Sequence, residues 1–396
     1  MGKSVVIVAN GFTRENVRLQ PWRYLYEVAR YIAMRRTLVV ITEGSSAFEA
    51  EEWPEGFTVT RSCGLSVRRQ EALRQLIVSY DPQQLWWSVT PRSIAYARLL
   101  KSVDCDRYAL ITCPLYSYGQ LFRASLAGVP FNELRALWQQ RLIPRWLFTR
   151  LLGGGLFRKV FLQSRANLEV LAREGVPERN LVLLRVGIDA ADRLPIRNKE
   201  VRTEEGMEST GKGREVTLLY FGAVRKIRGF DALVDAFVRV TGQVDYARLV
   251  VLARGADERQ TVAIEERLQR LGLAERVSVV GGWLSREQVW EHIENCDVVV
   301  LPFIIVPSDV PIAILEAMAR GKPVIGSPID GIPELIEGRG LVADPLDSAG
   351  LADAIVSLVR NSEQRKRLGS NALAFMQSYP DWREIGEQLL SEVGLV

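Results

Sequence analysis

The chain's 396 residues, 47% hydrophobic and 25% charged, suffice for two or three globular domains at about 100–200 residues each and exclude a disordered or fibrous class. The net charge of +4 implies no nucleic-acid partner, yet it averages two unlike halves: residues 1–200 hold 29 basic and 18 acidic side chains, residues 201–396 hold 22 and 29. The four cysteines, Cys63, Cys105, Cys113 and Cys296, form no C-x-x-C pair; they are too few for a disulfide scaffold and fit a reducing, cytoplasmic setting.

Met1-Gly2-Lys3 leads straight into an apolar run at 5–9 of strand length. No cleavage site follows it and no run of 18 apolar residues occurs, so neither a signal peptide nor a spanning helix is expected. Further Val-, Ile- and Leu-rich runs lie at 37–42, 109–112 and 160–163, with longer amphipathic stretches between them. Continuous apolar strands spaced by helices are the pattern of buried parallel sheets built from β-α-β units. Asp104-Cys105-Asp106 has the spacing of a metal-binding D-x-D but reads as a charged loop, and no required metal is expected. Residues 134–152 interleave Arg135, Arg141, Arg145 and Arg150 with Trp138, Trp146 and Phe148. That composition suits an amphipathic segment on an anionic lipid surface, or equally a core helix with arginines on its wet face.

Between 195 and 215 the chain becomes highly charged and Gly-containing, with almost no apolar residues, as a linker would. It falls where the charge balance changes sign. The expected organisation is therefore a Rossmann-like domain at 1–195, a linker at 196–215, a second Rossmann-like domain at 216–378, and a final helix within 379–396. The fold class is α/β, two doubly wound domains with a ligand cleft between them.

Strand-like runs in the second half lie at 216–221, 248–253, 277–280, 297–301 and 323–326. After the first of them, Gly222-Ala-Val-Arg225-Lys226-Ile-Arg228-Gly229 crowds three cations at the start of a helix, where the dipole prefers acidic side chains. Either an anion compensates them, a diphosphate matching the arginine fork, or the loop is simply solvated. In 306–334, Ser308 or Asp309 can cap a helix, Pro311 suits its first turn and Gly321 ends it. Such a helix start is a ready phosphate site, and Glu316, roughly 8 Å along the axis, can accept protons from sugar hydroxyls or be a plain surface carboxylate. His292 is the only histidine and sits on an expected helix in a structural or surface role. No Ser-His-Asp triad or multi-histidine metal centre can be built, and no G-x-G-x-x-G follows the first strand, which argues against a nicotinamide enzyme.

Seven segments, 218–222, 228–237, 249–255, 271–281, 296–302, Leu315-Glu-Ala-Met-Ala-Arg-Gly-Lys-Pro-Val-Ile325 and Gly331-Ile-Pro-Glu334, resemble in order and spacing the group 1 (family 4) retaining glycosyltransferases of GT-B architecture. Residues 161–171, 175–177 and 186–189 look like the family's crossover into the linker, whereas the first 150 residues match only in general layout. The resemblance implies a nucleotide-diphosphate sugar donor, a substrate rather than a cofactor, a lipid-linked or polysaccharide acceptor bound by the domain at 1–195, and a final helix at 379–396 that crosses back to that domain. It implies that Arg228 holds the diphosphate and Glu316 the ribose hydroxyls, both in catalytic positions. Gly222 lets backbone approach phosphate, Gly11 faces the donor from the first domain, Arg225, Lys226, Pro311 and Ile312 line the donor site, and Gly282 and Trp283 neighbour the base. Retention by front-face attack is implied, with the leaving phosphate accepting the acceptor proton. The sequence departs from the family's E-x7-E pattern: Ser308 stands at the first carboxylate with Asp309 beside it, and both are candidate catalytic residues. Ala223 replaces an arginine for which Arg225 can substitute, and Asp330-Gly331 replaces Gly-Gly. The alternatives are a catalytically silent homologue that serves as a binding subunit, and a sugar-nucleotide epimerase, which the lack of a histidine in the first domain disfavours. The expected location is cytoplasmic, peripheral on the inner face of a membrane.

Overall fold

A computed structural model describes residues 4–44, 49–62, 65, 69–190, 215–306 and 308–395. All nine apolar runs are strands, and they fall into two sheets. The first holds β1 (Ser4–Val8), β2 (Leu38–Glu43), β3 (Glu49–Trp53), β4 (Phe57–Ser62), β5 (Pro82–Ser88), β6 (Asp106–Ile111), β7 (Lys159–Leu162) and β8 (Leu181–Leu183) in the order β3-β4-β2-β1-β5-β6-β7-β8. Only the β3–β4 pairing is antiparallel. Every residue of the central strand β1 is buried, as a strand covered by helices on both faces must be. Those helices are α1 (Trp22–Ala33), α2 (Gln70–Ser79), α3 (Ala97–Ser102), α4 (Tyr118–Leu126), α5 (Phe131–Arg141), α6 (Arg145–Gly153) and α7 (Arg165–Arg173).

The second sheet holds β9 (Val216–Gly222), β10 (Ala247–Arg254), β11 (Val277–Gly282), β12 (Val298–Leu301), β13 (Val324–Gly326) and β14 (Gly340–Val342), all parallel, in the order β11-β10-β9-β12-β13-β14. With it go α8 (Phe230–Thr241), α9 (Glu258–Arg270), α10 (Arg286–Asn295), α11 (Ile312–Ala319), α12 (Ile332–Ile336), α13 (Ser348–Arg360), α14 (Ser362–Gln377) and α15 (Trp382–Glu392). The strand order reverses between β9 and β12, and the carboxyl ends of strands at such a switch point open onto a crevice.

The expected linker, apart from Glu215, lies outside the described residues. The last helix leaves the second sheet and packs on the first. Gly386 of α15 lies so close to Tyr31 of α1 that a Cβ would come within 2.3 Å of its ring, and the Trp382 amide donates to the Ile188 carbonyl at 3.0 Å. The two domains also meet in an apolar cluster in which Ile304 and Ile305, from the loop after β12, join Tyr116, Leu121, Ala124, Val129 and Leu134. Burying each isoleucine contributes about 1.5–3 kcal/mol, and the cluster joins the segment around α4 and α5 to the second domain.

Candidate functional site

The loops after β9 and β12 interlock at the switch point. Gly222 ends β9 at φ +144°, where an added Cβ would lie 3.9 Å from Arg228 Nη1, and the short 3-10 turn Lys226–Arg228 is closed by Gly229 at φ +76°. A Cβ on Gly229 would lie 1.7 Å from the Pro302 carbonyl oxygen, so only glycine permits this approach. Across the same contact the amides of Ile304 and Ile305 both donate to the Ile227 carbonyl at 3.1 Å.

This frame holds Arg228 half-buried, its guanidinium 5.5 Å from the Phe303 ring centroid. Among the described residues no carboxylate lies within ion-pair distance of it. Burial, and then the neighbouring Arg254 and Arg225, push its pKa below the ordinary arginine value. Since arginine does not deprotonate in proteins, the direction of the shift measures how poorly solvated the charge is and how strongly an anion would be attracted. The flanking cations are less needy: Arg225 pairs with Glu133 at 3.3 Å, and Lys226 with Asp231 at 4.0 Å.

The helix expected over 306–334 starts later than its sequence suggests. α11 begins at Ile312 with Pro311 as N-cap, so no side-chain oxygen covers its first-turn amides. Ser308 and Asp309 do not cap it. Ser308 is buried and donates to the Val310 carbonyl at 3.2 Å. Proline just before the helix extends the chain, and residues 308–310 run buried toward the domain interface. Glu316 lies half-buried in the second turn of α11.

Asp309 meets the first domain at Ser164 and Asn167, the N-terminal end of α7, which favour its charged form. Burial outweighs them and raises its pKa to about 6. Asp330, in the left-handed region at φ +50°, accepts from Gln120 Nε2 at 3.3 Å; burial and the charge of Asp309 raise it to about 7. Two raised acids stabilise the closed interface while protonated, and that contribution is lost as pH rises through these values. Asp330→Asn, which keeps a residue tolerant of positive φ, is therefore expected to unfold at a higher temperature than wild type at pH 8, with the difference shrinking at pH 5. A difference independent of pH in thermal unfolding would show that Asp330 stays ionised throughout.

Other candidates are placed as follows. Gly11, at φ +72° after β1, has no room for a side chain beside Trp22, and its amide donates to Glu43 Oε2 at 2.6 Å. Gly282 ends β11 at φ +93°, and Trp283 beyond it is 73% exposed. Arg254 at the end of β10 lies 5.2 Å from the Trp283 ring centroid, and Gly255 packs against the same indole. Sequence reasoning missed Arg254 and Glu133. Arg254 had a usable signal, since it ends the parallel strand next to β9; Glu133 had none, because its meaning comes from a contact across the cleft. Asp106 of the D-x-D pairs with Arg158. Among the described residues no three His, Cys, Asp or Glu side chains are grouped to hold a metal ion, and no helix is long and apolar enough to cross a membrane.

Two parallel α/β sheets facing one another across such a switch point define the GT-B class. Sucrose-phosphate synthase from Thermosynechococcus elongatus superposes with a TM-score of 0.69 at 17% identity, over 99% of this chain and 98% of that one. Residues 215–361 match the family described as "Glycosyl transferases group 1", and the second domain is a group 1 glycosyltransferase domain. Curated relatives include the alpha-D-kanosaminyltransferase of Streptomyces kanamyceticus, 26% identical over 60% of this chain and 60% of the relative. The phosphatidyl-myo-inositol mannosyltransferase of Mycobacterium leprae (strain TN) is 32% identical over 44% of this chain and 45% of its own length. The chain thus spans about half the length of the curated relatives it matches.

Proposed function

We propose that the chain transfers a sugar from a nucleoside-diphosphate donor to a lipid-linked or polysaccharide acceptor, with retention at the anomeric carbon and without a metal ion. The observation that carries this reading is Arg228: a half-buried guanidinium without a carboxylate partner among the described residues, at the switch-point crevice between the loops after β9 and β12. As the bond between the anomeric carbon and the diphosphate breaks, its electron pair passes to the leaving phosphate oxygen. Arg228, Arg225, Lys226 and the Ile312 and Ala313 amides that open α11 after Pro311 stabilise that charge. The acceptor oxygen bonds to the anomeric carbon on the face the phosphate leaves, and the acceptor proton passes to the phosphate. Glu316 takes the ribose hydroxyls and Trp283 with Gly282 the base, while Asp309, next to Ser308, supplies the nearest carboxylate to the departed motif position. The lipid acceptor is supported by the name of the phosphatidyl-myo-inositol mannosyltransferase relative, and a peripheral position on the cytoplasmic face of a membrane follows from it.

The test is a titration with UDP-, GDP- and ADP-sugars, followed by donor hydrolysis. Failure of every nucleotide to bind would overturn the reading, and binding without turnover would favour a silent binding subunit. Because fixed cations supply the charge, removing divalent metals with EDTA is expected to leave turnover unchanged; a loss restored by Mg2+ or Mn2+ would refute metal independence.

A further inference from the structure

The α4–α5 hairpin has two faces of opposite character. Its inner face is buried against the second domain, with Leu121, Ala124 and Leu134 packed on Ile304 and Ile305. That face also covers the cation cluster of the proposed donor site. Glu133 of α5 pairs with Arg225, and Gly128, in the turn between the helices, lies against Lys226 Nζ, which a Cβ there would approach to 3.0 Å. Arg123 of α4 pairs with Asp344, and Gln120 donates to Asp330. Glu133 is only 14% exposed, and its Oε2, although 3.3 Å from Arg225, has no aligned hydrogen-bond donor among the described residues. A carboxylate left short of donors is a poor occupant of this position, and a phosphate with more oxygens to offer Arg225 exchanges for it readily.

The outer face is apolar and unpartnered among the described residues. Tyr118, Phe122 and Leu126 repeat every four residues along α4, and Phe131 and Leu142 lie on one side of α5, the spacing that puts side chains in line on a helix. The two rows meet where the Tyr118 ring packs against Trp138 and under the Arg141 guanidinium, 3.9 Å from it. Tyr118, Phe122, Leu126, Phe131, Leu142 and Trp146 of α6 are 50–74% exposed, more large apolar surface than a soluble face ordinarily shows in one place. Arg135, between Phe131 and Leu142, and Arg150 are exposed and without an ion pair among the described residues. Clustered exposed aromatics with free arginines complement an anionic lipid surface.

We propose that the α4–α5 hairpin is a lid operated from a membrane: its outer face docks on anionic lipid, and docking draws Glu133 off Arg225 so that the donor diphosphate can take its place. This inference rests on the donor reading above. The chain tested is the full protein, and the probes are UDP and GDP, titrated calorimetrically with vesicles of phosphatidylglycerol, with vesicles of phosphatidylcholine, and without vesicles, alongside cosedimentation. Phosphatidylglycerol vesicles are expected to sediment the chain and tighten nucleoside-diphosphate binding about two- to fivefold, the range set by one partly exposed ion pair; phosphatidylcholine is expected to do neither. Phe122→Glu with Leu126→Glu abolishes both effects and leaves the vesicle-free affinity unchanged. Glu133→Gln tightens vesicle-free binding by a similar factor and removes the gain from lipid. Equal affinity with and without anionic vesicles, sedimentation unaffected by the double substitution, or weaker binding in Glu133→Gln overturns the lid, as does self-association in place of vesicle binding. Absence of nucleoside-diphosphate binding under every condition instead overturns the donor reading and the lid with it.

Discussion

Arg228→Ala is expected to weaken binding of the cognate nucleoside diphosphate and to lower kcat/KM about 10²- to 10³-fold, the usual loss when one fixed donor to a developing anion is removed. A bidentate fork on phosphate is among the stronger hydrogen-bonding arrangements, and here it is half-buried, where solvent screens it less. Arg228→Lys is expected to recover only part of the loss, because an ammonium keeps the charge without the fork. The effect on stability runs the other way. Arg228 has no carboxylate partner among the described residues and is crowded by Arg254 and Arg225, so Arg228→Ala should unfold at the same temperature as wild type or slightly above it. An alanine variant that bound nucleotide normally, or that lost binding only by losing stability, would refute the assignment.

The second large effect is structural and falls on Gly229. Its positive φ alone costs an alanine about 1–2 kcal/mol, and a Cβ placed 1.7 Å from the Pro302 oxygen forces the loops after β9 and β12 apart. Gly229→Ala is therefore expected to cost at least about 3 kcal/mol in urea unfolding. Gly272 is the internal control: its φ is +72° but a Cβ there meets nothing within 4 Å, so Gly272→Ala should show the backbone term alone. Equal costs at the two positions would mean that the Gly229–Pro302 approach does not constrain the fold. Separation of the loops would also move the Ile227 carbonyl away from the amides of Ile304 and Ile305, so nucleotide binding should fall together with stability.

What could be read from the sequence follows burial. Strands covered on both faces, such as β1 and β12, show as continuous apolar runs. The strands that were not foreseen are those where this rule fails. β3 is an edge strand, Glu-Ala-Glu-Glu-Trp, whose charges face water, an arrangement that protects a sheet edge from pairing with other chains. β4 alternates threonines with apolar residues, β5 opens on Pro-Gln-Gln, and β8 and β14 have three residues each. Within the site, Gly222, Arg225, Lys226 and Arg228 could be found because three cations at a helix start contradict the dipole unless something anionic joins them. Glu133 and Asp330 could not, since each takes its meaning from a group in the other domain. The start of α11 lies two or three residues later than Ser308 and Asp309, good capping residues in isolation, suggest, and only the pull of the domain interface explains why they are used elsewhere.

The return of α15 to the first sheet means that the chain passes between the domains twice, and the passages touch: Ile188 and Asp381 form a parallel bridge, with the Ile188 amide donating to the Pro380 carbonyl at 3.3 Å. A door hung on two pins can swing but cannot slide or twist in its frame. The bridge ties the two passages together at one place, which favours rotation of the domains there over sliding, the motion of a hinge rather than of a shear.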